Sequence, residues 1–136
     1  MISKEMKRKL IHEAVLARSH SYCPYSGFAV GAAVLCESGK IYRGTNVENA
    51  SYGLTNCAER TAVFTAVCKG ERSILAIAVV GGPVGKKAAE ICPPCGSCRQ
   101  VLSEFGGPDM PVLLGTETGE CEERTLGALL PDTFKL

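Results

Sequence analysis

Four of the chain's eight cysteines fall in two short stretches whose residue types could do chemistry. Cys57 stands in LTNCAERTAVFTAV, and Cys92, Cys95 and Cys98 stand in CPPCGSCRQVL. Each stretch reads as the opening of a helix. Cys95 and Cys98 are three residues apart, so their sulfurs share a face on a first helical turn. Cys57 and Glu59 are two apart and would point to nearly opposite sides within a helix. They can serve one site only if it lies in front of the helix end. Zinc suits such a place, because thiolate is a preferred ligand and the free N–H groups of helix starts favour the thiolate form. Cys57, Cys95 and Cys98 fill three tetrahedral positions, and a catalytic zinc leaves the fourth to water. A carboxylate beside that water can move its protons. This gives a reason for Glu59 in an apolar helix, where a carboxylate is costly to bury. Arg60 has a charge-tuning role available: a guanidinium donating to the sulfurs withdraws negative charge from a three-thiolate zinc, as do two helix dipoles.

Blander readings use the same residues. A lone C-x-x-C is shared by redox pairs and structural zinc knuckles. Cys92 offers a fourth ligand that would close the site. Asn56 followed three residues later by Glu59 matches a helix capping box. Arg60 alone would be a surface arginine. Cys57-Ala58-Glu59 joined to C-x-x-C favours the catalytic reading.

The elements that position these residues are legible from patterning. Met6, Leu10, Ala14 and Ala17 form an apolar stripe over residues 3–18, an amphipathic helix, which YCPYSGF then breaks. FAVGAAVLC and KIYRGTNVE flank Glu37-Ser38-Gly39 as a hairpin. The Cys57 helix ends at Gly70. SILAIAVV is a strand covered on both faces, a Gly/Pro-rich loop follows, and a helix runs from near Cys95 to Gly106. PVLLGT is a further strand and TLGALLP a last helix. The order implies one mixed sheet with an antiparallel hairpin at one edge and helices on both faces. Strand–helix units of a parallel sheet would bring both helix starts to the carboxyl edge of the strands.

Composition narrows the class. At 136 residues the chain is expected to be a single domain spanning 1–136. A net charge of +1 gives no broad grip on nucleic acid or an anionic membrane, and no run approaches a membrane span. With no export signal, the expected place is the reducing cytoplasm, with the cysteines free. Cys36 and Cys68 fall in apolar runs and read as small core residues. Cys23 and Cys121 lie near turns and receive no role.

The joint pattern Cys57-Ala58-Glu59 and Pro94-Cys95-Gly96-Ser97-Cys98 resembles the known signature of zinc-dependent nucleobase deaminases. YRGTNVENASYGLTNCAERTA, CGSCRQVLSEF and LLPDTF narrow the likeness to small, all-cysteine-ligand cytidine deaminases, which are homotetramers of pyrimidine salvage. It runs from ARSHSYCPYSGFAVGAAV to Phe134. The resemblance implies a three-layer α/β/α sandwich around a five-stranded mixed sheet with an antiparallel edge hairpin. It further implies one zinc per subunit on Cys57, Cys95 and Cys98, and active sites shared within the homotetramer. The implied reaction is hydrolytic deamination of cytidine and deoxycytidine, with Glu59 as proton shuttle. Asn46 and Glu48 match the pair that hydrogen-bonds the ribose, and both groups suit a sugar hydroxyl. Phe28 matches an aromatic beside the nucleoside, although alternation equally allows a core residue. Ala58 matches a main-chain contact to the base. Phe134 matches an aromatic reaching into a neighbouring subunit's site, where an apolar C-terminal anchor is the simpler role. One departure stands out: GGPVGKKAAEICPP is longer than the usual connection, and Cys92 is unusual there. Rival readings are a deaminase of bases within RNA or DNA, disfavoured by near-neutral charge and the lack of tryptophan, and an enzyme acting on a cytosine-containing antibiotic. A non-catalytic zinc or thiol module is the third, and it would not require Glu59.

Overall fold

The computed structural model describes residues 2–136; Met1, the first residue of the expected 1–136 domain, lies outside them. Helix α1 (Lys4–Arg18) is followed by β1 (Phe28–Cys36), β2 (Ile41–Thr45), a 3-10 turn (Tyr52–Leu54) and α2 (Ala58–Cys68). Then come β3 (Ile74–Pro83), α3 (Gly96–Phe105), β4 (Pro111–Gly115), β5 (Cys121–Thr125) and the short α4 (Leu126–Leu129). The strands form one sheet in the order β2-β1-β3-β4-β5. Among the described residues, no helix is long and apolar enough to cross a membrane.

Alternation along the strands explains the three layers. Ala33 and Leu35 of β1, Ala76, Ala78 and Val80 of β3 and Leu113 of β4 face Leu10 and Ala14 of α1. Their neighbours Ala32, Val34, Ile77, Val79, Val112 and Leu114 face Ala62, Val63 and Ala66 of α2 and Leu102 of α3. Strand β3 is buried on both faces, which is why it reads as a continuous apolar run.

The five-stranded mixed sheet with its antiparallel hairpin at one edge is as expected, and two features go beyond that expectation. Strand β1 is antiparallel to both β2 and β3, β4 is antiparallel to β5, and only β3–β4 is parallel. The antiparallel character is therefore not confined to one edge hairpin. Because β2 and β3 are each antiparallel to β1, they run in the same direction. The helices that follow them, α2 and α3, therefore still start at one edge of the sheet. The second feature is β5. Its CEERT is too polar to be read as a strand from patterning, and it is an exposed edge paired on one side only. The five-strand count came from the family resemblance.

Two glycines set how close the helices lie. A Cβ on Gly31 would sit 2.0 Å from the Ala14 carbonyl oxygen of α1, and one on Gly44 would sit 2.2 Å from the Ala62 nitrogen of α2. The obstacles are backbone atoms, which cannot swing aside. Gly44→Ala must therefore lift α2 from the sheet, and we expect a stability loss at or above the roughly 1–3 kcal/mol typical of overpacking. Urea unfolding of the variant against the parent chain measures it.

Candidate active site

Helices α2 and α3 both begin on a cysteine. Cys57 and Cys95 are the N-cap residues, and neither makes a side-chain cap hydrogen bond. Their sulfurs are thus free to point forward, where the unpaired N–H groups and helix dipoles favour negative charge. The capping-box reading of Glu59 fails here, because the cap is Cys57 rather than Asn56. Cys98, one turn into α3, completes the group: the ligand atoms of Cys57, Cys95 and Cys98 all lie within 4.8 Å of one another. Cys57 Sγ is 3.9 Å from Cys95 Sγ, which lies 3.3 Å from Cys98 Sγ.

These spacings suit a metal. Tetrahedral zinc with Zn–S bonds of about 2.3 Å holds its sulfurs about 3.8 Å apart. Arg60 Nη2 donates to Cys57 Sγ at 3.4 Å, while Arg60 Nε is buried without a partner among the described residues. A guanidinium drawn into this corner fits the negative charge of metal-bound thiolates. A hydrogen bond with Cys98, helped by Arg60, pulls the Cys57 thiol well below its ordinary value, whereas sharing that proton pushes Cys98 up. Cys92 stands outside the group. Its Sγ packs on Gly81 beside the Phe28 ring, and burial pushes its thiol up to about 11. The fourth-ligand reading of Cys92 finds no support in this geometry.

Glu59 lies in the first turn of α2 and is only 4% exposed. Burial raises its carboxyl to about 7, with the Cys57 charge adding to the rise and Arg60 opposing it. A group balanced near neutrality can both take and give a proton. Ala58 is fully buried at the first helical position beside it.

Asn46 and Glu48 are brought to the same edge by a short irregular ladder. Val47 exchanges backbone hydrogen bonds with Asn56, and Tyr22 bridges Asn46 and Glu48. Asn46 is 8% exposed; its Oδ1 accepts from the Val30 N–H and the Ser21 hydroxyl, and its Nδ2 donates to the Phe28 carbonyl. One Nδ2 hydrogen remains for a ligand. Glu48 accepts from the Tyr25 and Ser26 N–H groups and the Ser26 hydroxyl, and the Ser26 hydroxyl chiefly holds its carboxyl below the usual value. Tyr25, Ser26, Glu48, Tyr52 and Thr55 line a cleft of about 360 Å³. Phe28 is 39% exposed at the start of β1, so it is not the core residue that alternation allowed. Phe134 is 70% exposed at the chain's end and does not serve as an apolar anchor.

Ser21, Tyr25 and Ser26 receive no individual role from the sequence, where YCPYSGF reads as a helix breaker and Phe28 alone is singled out from it. Their signal was small polar residues beside Pro24 and Gly27, the composition of a turn whose N–H groups bind a carboxylate. Tyr52 was also missed; its ring packs edge-on to Tyr25 at 5.9 Å.

Two helix starts that gather three thiols, with a buried carboxyl on one of them, make the site of a zinc enzyme. Residues 4–114 match the family model described as the cytidine and deoxycytidylate deaminase zinc-binding region. The chain is 50% identical over 128 residues to a cytidine deaminase of Halalkalibacterium halodurans, covering 94% of this chain and 93% of that one. It is 52% identical over 126 residues to a cytidine deaminase of Sporosarcina psychrophila, covering 93% and 89%. The crystal structure of a cytidine deaminase from Burkholderia pseudomallei superposes with a TM-score of 0.85 at 47% identity, covering 98% of this chain and all of that one. The chain belongs to the cytidine and deoxycytidylate deaminase family.

Glu59 makes the metal-free protein pH-sensitive. Its folded-state pKa is raised from 4.5 to about 7, so its contribution is fully present below pH 4.5 and is lost as pH rises through 7. We expect metal-free Glu59→Gln to exceed the metal-free parent at pH 8 by about 3 kcal/mol, the equivalent of that shift, with the difference vanishing near pH 4. Urea unfolding at both pH values after zinc removal tests the sign.

Proposed function

We propose that the chain, acting as a single domain, hydrolyses cytidine and deoxycytidine to uridine and deoxyuridine with release of ammonia, as an enzyme of pyrimidine salvage. The observation that carries this reading is Glu59, buried and hydrogen-bonded to Cys98 of the three-sulfur group formed by Cys57, Cys95 and Cys98. Zinc held by those cysteines supplies a Lewis acid that makes water nucleophilic at neutral pH. Glu59 takes the proton of the attacking water and delivers it to N3 of the cytosine as C4 becomes tetrahedral. It then carries the remaining hydroxyl proton to the leaving amino group, so that ammonia departs and the carbonyl of uridine forms. Arg60 withdraws charge from the sulfurs. Asn46, with its spare amide hydrogen, and Glu48, with its oriented carboxylate, hold the ribose hydroxyls and so hold C4 in place. The Ala58 main chain contacts the base, and Phe28 covers it.

The active unit in this reading is a homotetramer working in the cytoplasm. Eight free cysteines suit a reducing compartment. Phe64 on α2, with Tyr52, Leu54 and Phe134, leaves apolar surface exposed for packing against other copies. Phe134 then closes a neighbour's pocket.

One set of variants tests the chemistry through zinc content and the ultraviolet change on cytidine. The parent and Cys92→Ser should hold one zinc per chain and react, while Cys95→Ser should lose both. Glu59→Gln should keep zinc yet lose turnover by more than the roughly 10²–10⁴-fold typical of acid–base help. Asn46→Ala and Glu48→Ala should harm nucleosides far more than free cytosine. Near-normal turnover by Glu59→Gln, or faster reaction with DNA oligonucleotides, overturns the assignment.

Assembly has its own test. Deleting residues 134–136 should raise KM without loss of zinc. Mixing and reassembling that truncation with Glu59→Gln should restore activity, because an intact Glu59 then meets an intact Phe134. A fully active monomer in sedimentation refutes sharing of sites.

A further inference from the structure

Arg18, the last residue of α1, carries a side chain that is only 10% exposed. Its guanidinium makes five hydrogen bonds to three separate segments. Nε donates to the Ala29 carbonyl of β1 at 2.9 Å. Nη2 donates to the carbonyls of Gly82 and Pro83 at the end of β3 and of Lys86 beyond it. Nη1 donates to Glu117 Oε1 at 2.7 Å. The same Glu117 oxygen accepts the Ala88 N–H at 3.1 Å, and the Glu117 N–H donates to the Ala88 carbonyl at 2.7 Å. Ala88 is fully buried, and its Cα lies 3.0 Å from where a Cβ on Gly82 would be.

These bonds reach β1 and the end of β3, and through Lys86 and Ala88 they hold the long connection between β3 and α3, residues 84–95. Its first half is held at Lys86 and Ala88 by the Arg18–Glu117 pair. Its second half runs to the site: Ile91 packs on the core, and Cys92 lies on Gly81 beside Phe28. Cys95 then enters the three-sulfur group. Arg18 itself contacts none of those groups through the hydrogen bonds described. Four carbonyls and a carboxylate collected on one cation make a junction that a lysine, with a single nitrogen, cannot reproduce.

We propose that Arg18 and Glu117 are positioning residues for the cytidine site, pinning the 84–95 loop so that Cys92 and its neighbours form the wall of the base pocket against Phe28. The proposal rests on the cytidine reading of the site. Release of the pair lets the loop segment Ala88–Pro93 move while Cys95 and Cys98 stay anchored on α3. Loss of the wall then weakens nucleoside binding and uncovers Cys92 without removing the proton shuttle.

The test compares Glu117→Gln, Glu117→Ala and Arg18→Lys with the parent enzyme in its zinc-loaded form. Two readouts are taken together: KM and kcat for cytidine, and the iodoacetamide labelling rate of Cys92, followed by peptide mass spectrometry. The labelling needs no substrate, so its outcome is separate from whether cytidine is the substrate. In Glu117→Ala, Cys92 labelling should accelerate about tenfold as the segment opens locally. KM should rise about five- to tenfold with kcat within about twofold, the pattern of lost binding rather than lost chemistry. Glu117→Gln retains an oxygen that can accept from Arg18 and Ala88 and should fall between the two. If Glu117→Ala does not fold, Glu117→Gln carries the same comparison at smaller amplitude. A lower melting temperature with Cys92 labelling and KM both at parental values makes the pair a stabilising element only and overturns the proposal. A fall in kcat with unchanged KM overturns it as well.

Discussion

The backbone of α2 lies directly on Gly44 of β2, with no side chain between them. A Cβ there would meet the Ala58 carbonyl oxygen at 2.4 Å as well as the Ala62 nitrogen. Everything at the site inherits this close approach. The start of α2 is where Cys57, Ala58, Glu59 and Arg60 are displayed, so the height of the helix above the sheet sets where all four point. Alanines at 58, 62 and 66 allow the helix to settle that low, and Gly31 does the same for α1 on the opposite face. Small residues thus do in this core what large ones do elsewhere. They trade buried area for a fixed distance between backbones, and they tolerate no added methyl group.

The same precision explains why charges that repel are held together. Cys57, Cys98 and Glu59 compete for protons, each raising or lowering its neighbours, and the Arg60 guanidinium favours the charged forms of Cys57 and Glu59. Without a cation at the sulfurs, burial of Glu59 is a cost with no return. A cation there gives the carboxyl a use, since water polarised by a metal has protons for a neighbouring base to move. The unpartnered Arg60 Nε belongs to this picture, being part of the guanidinium that donates to Cys57 Sγ through Nη2.

Much of this was legible in the sequence, and for identifiable reasons. The amphipathic stripe of α1, the Glu37-Ser38-Gly39 hairpin, and the two-faced burial of β3 each leave a strong local pattern. The zinc triad was legible because thiols at helix starts have few other uses when a glutamate accompanies them. What escaped was non-local or polar. Strand β5 is an edge whose side chains face solvent, so no alternation marks it. The insertion of antiparallel β1 between β2 and β3 is a matter of pairing, on which patterning is silent. Asn46 owed its ribose-binding expectation to the family resemblance, yet its amide also braces Val30 and Phe28, a dual use that residue type alone does not reveal. Arg18 read as the end of a helix, and four of its five acceptors come from segments more than sixty residues along the chain.

The two halves of the site are joined through backbone. The metal half stands on the starts of α2 and α3, whereas Asn46 and Glu48 stand on the irregular segment after β2. Val47 and Asn56 exchange hydrogen bonds of 2.9 Å in both directions, and Asn56 immediately precedes Cys57. The polar pair proposed for the sugar and the first thiol are therefore separated by one bridge rather than by a flexible loop. Holding a reacting carbon over its nucleophile depends on the distance between such anchor points, and misplacement of about 1 Å can cost two orders of magnitude in rate. A main-chain bridge is a suitable device for that task, since it does not change with side-chain rotamers. The Tyr25 and Ser26 N–H groups fix the Glu48 carboxylate in the same way, so main chain sets its place relative to Cys57 throughout.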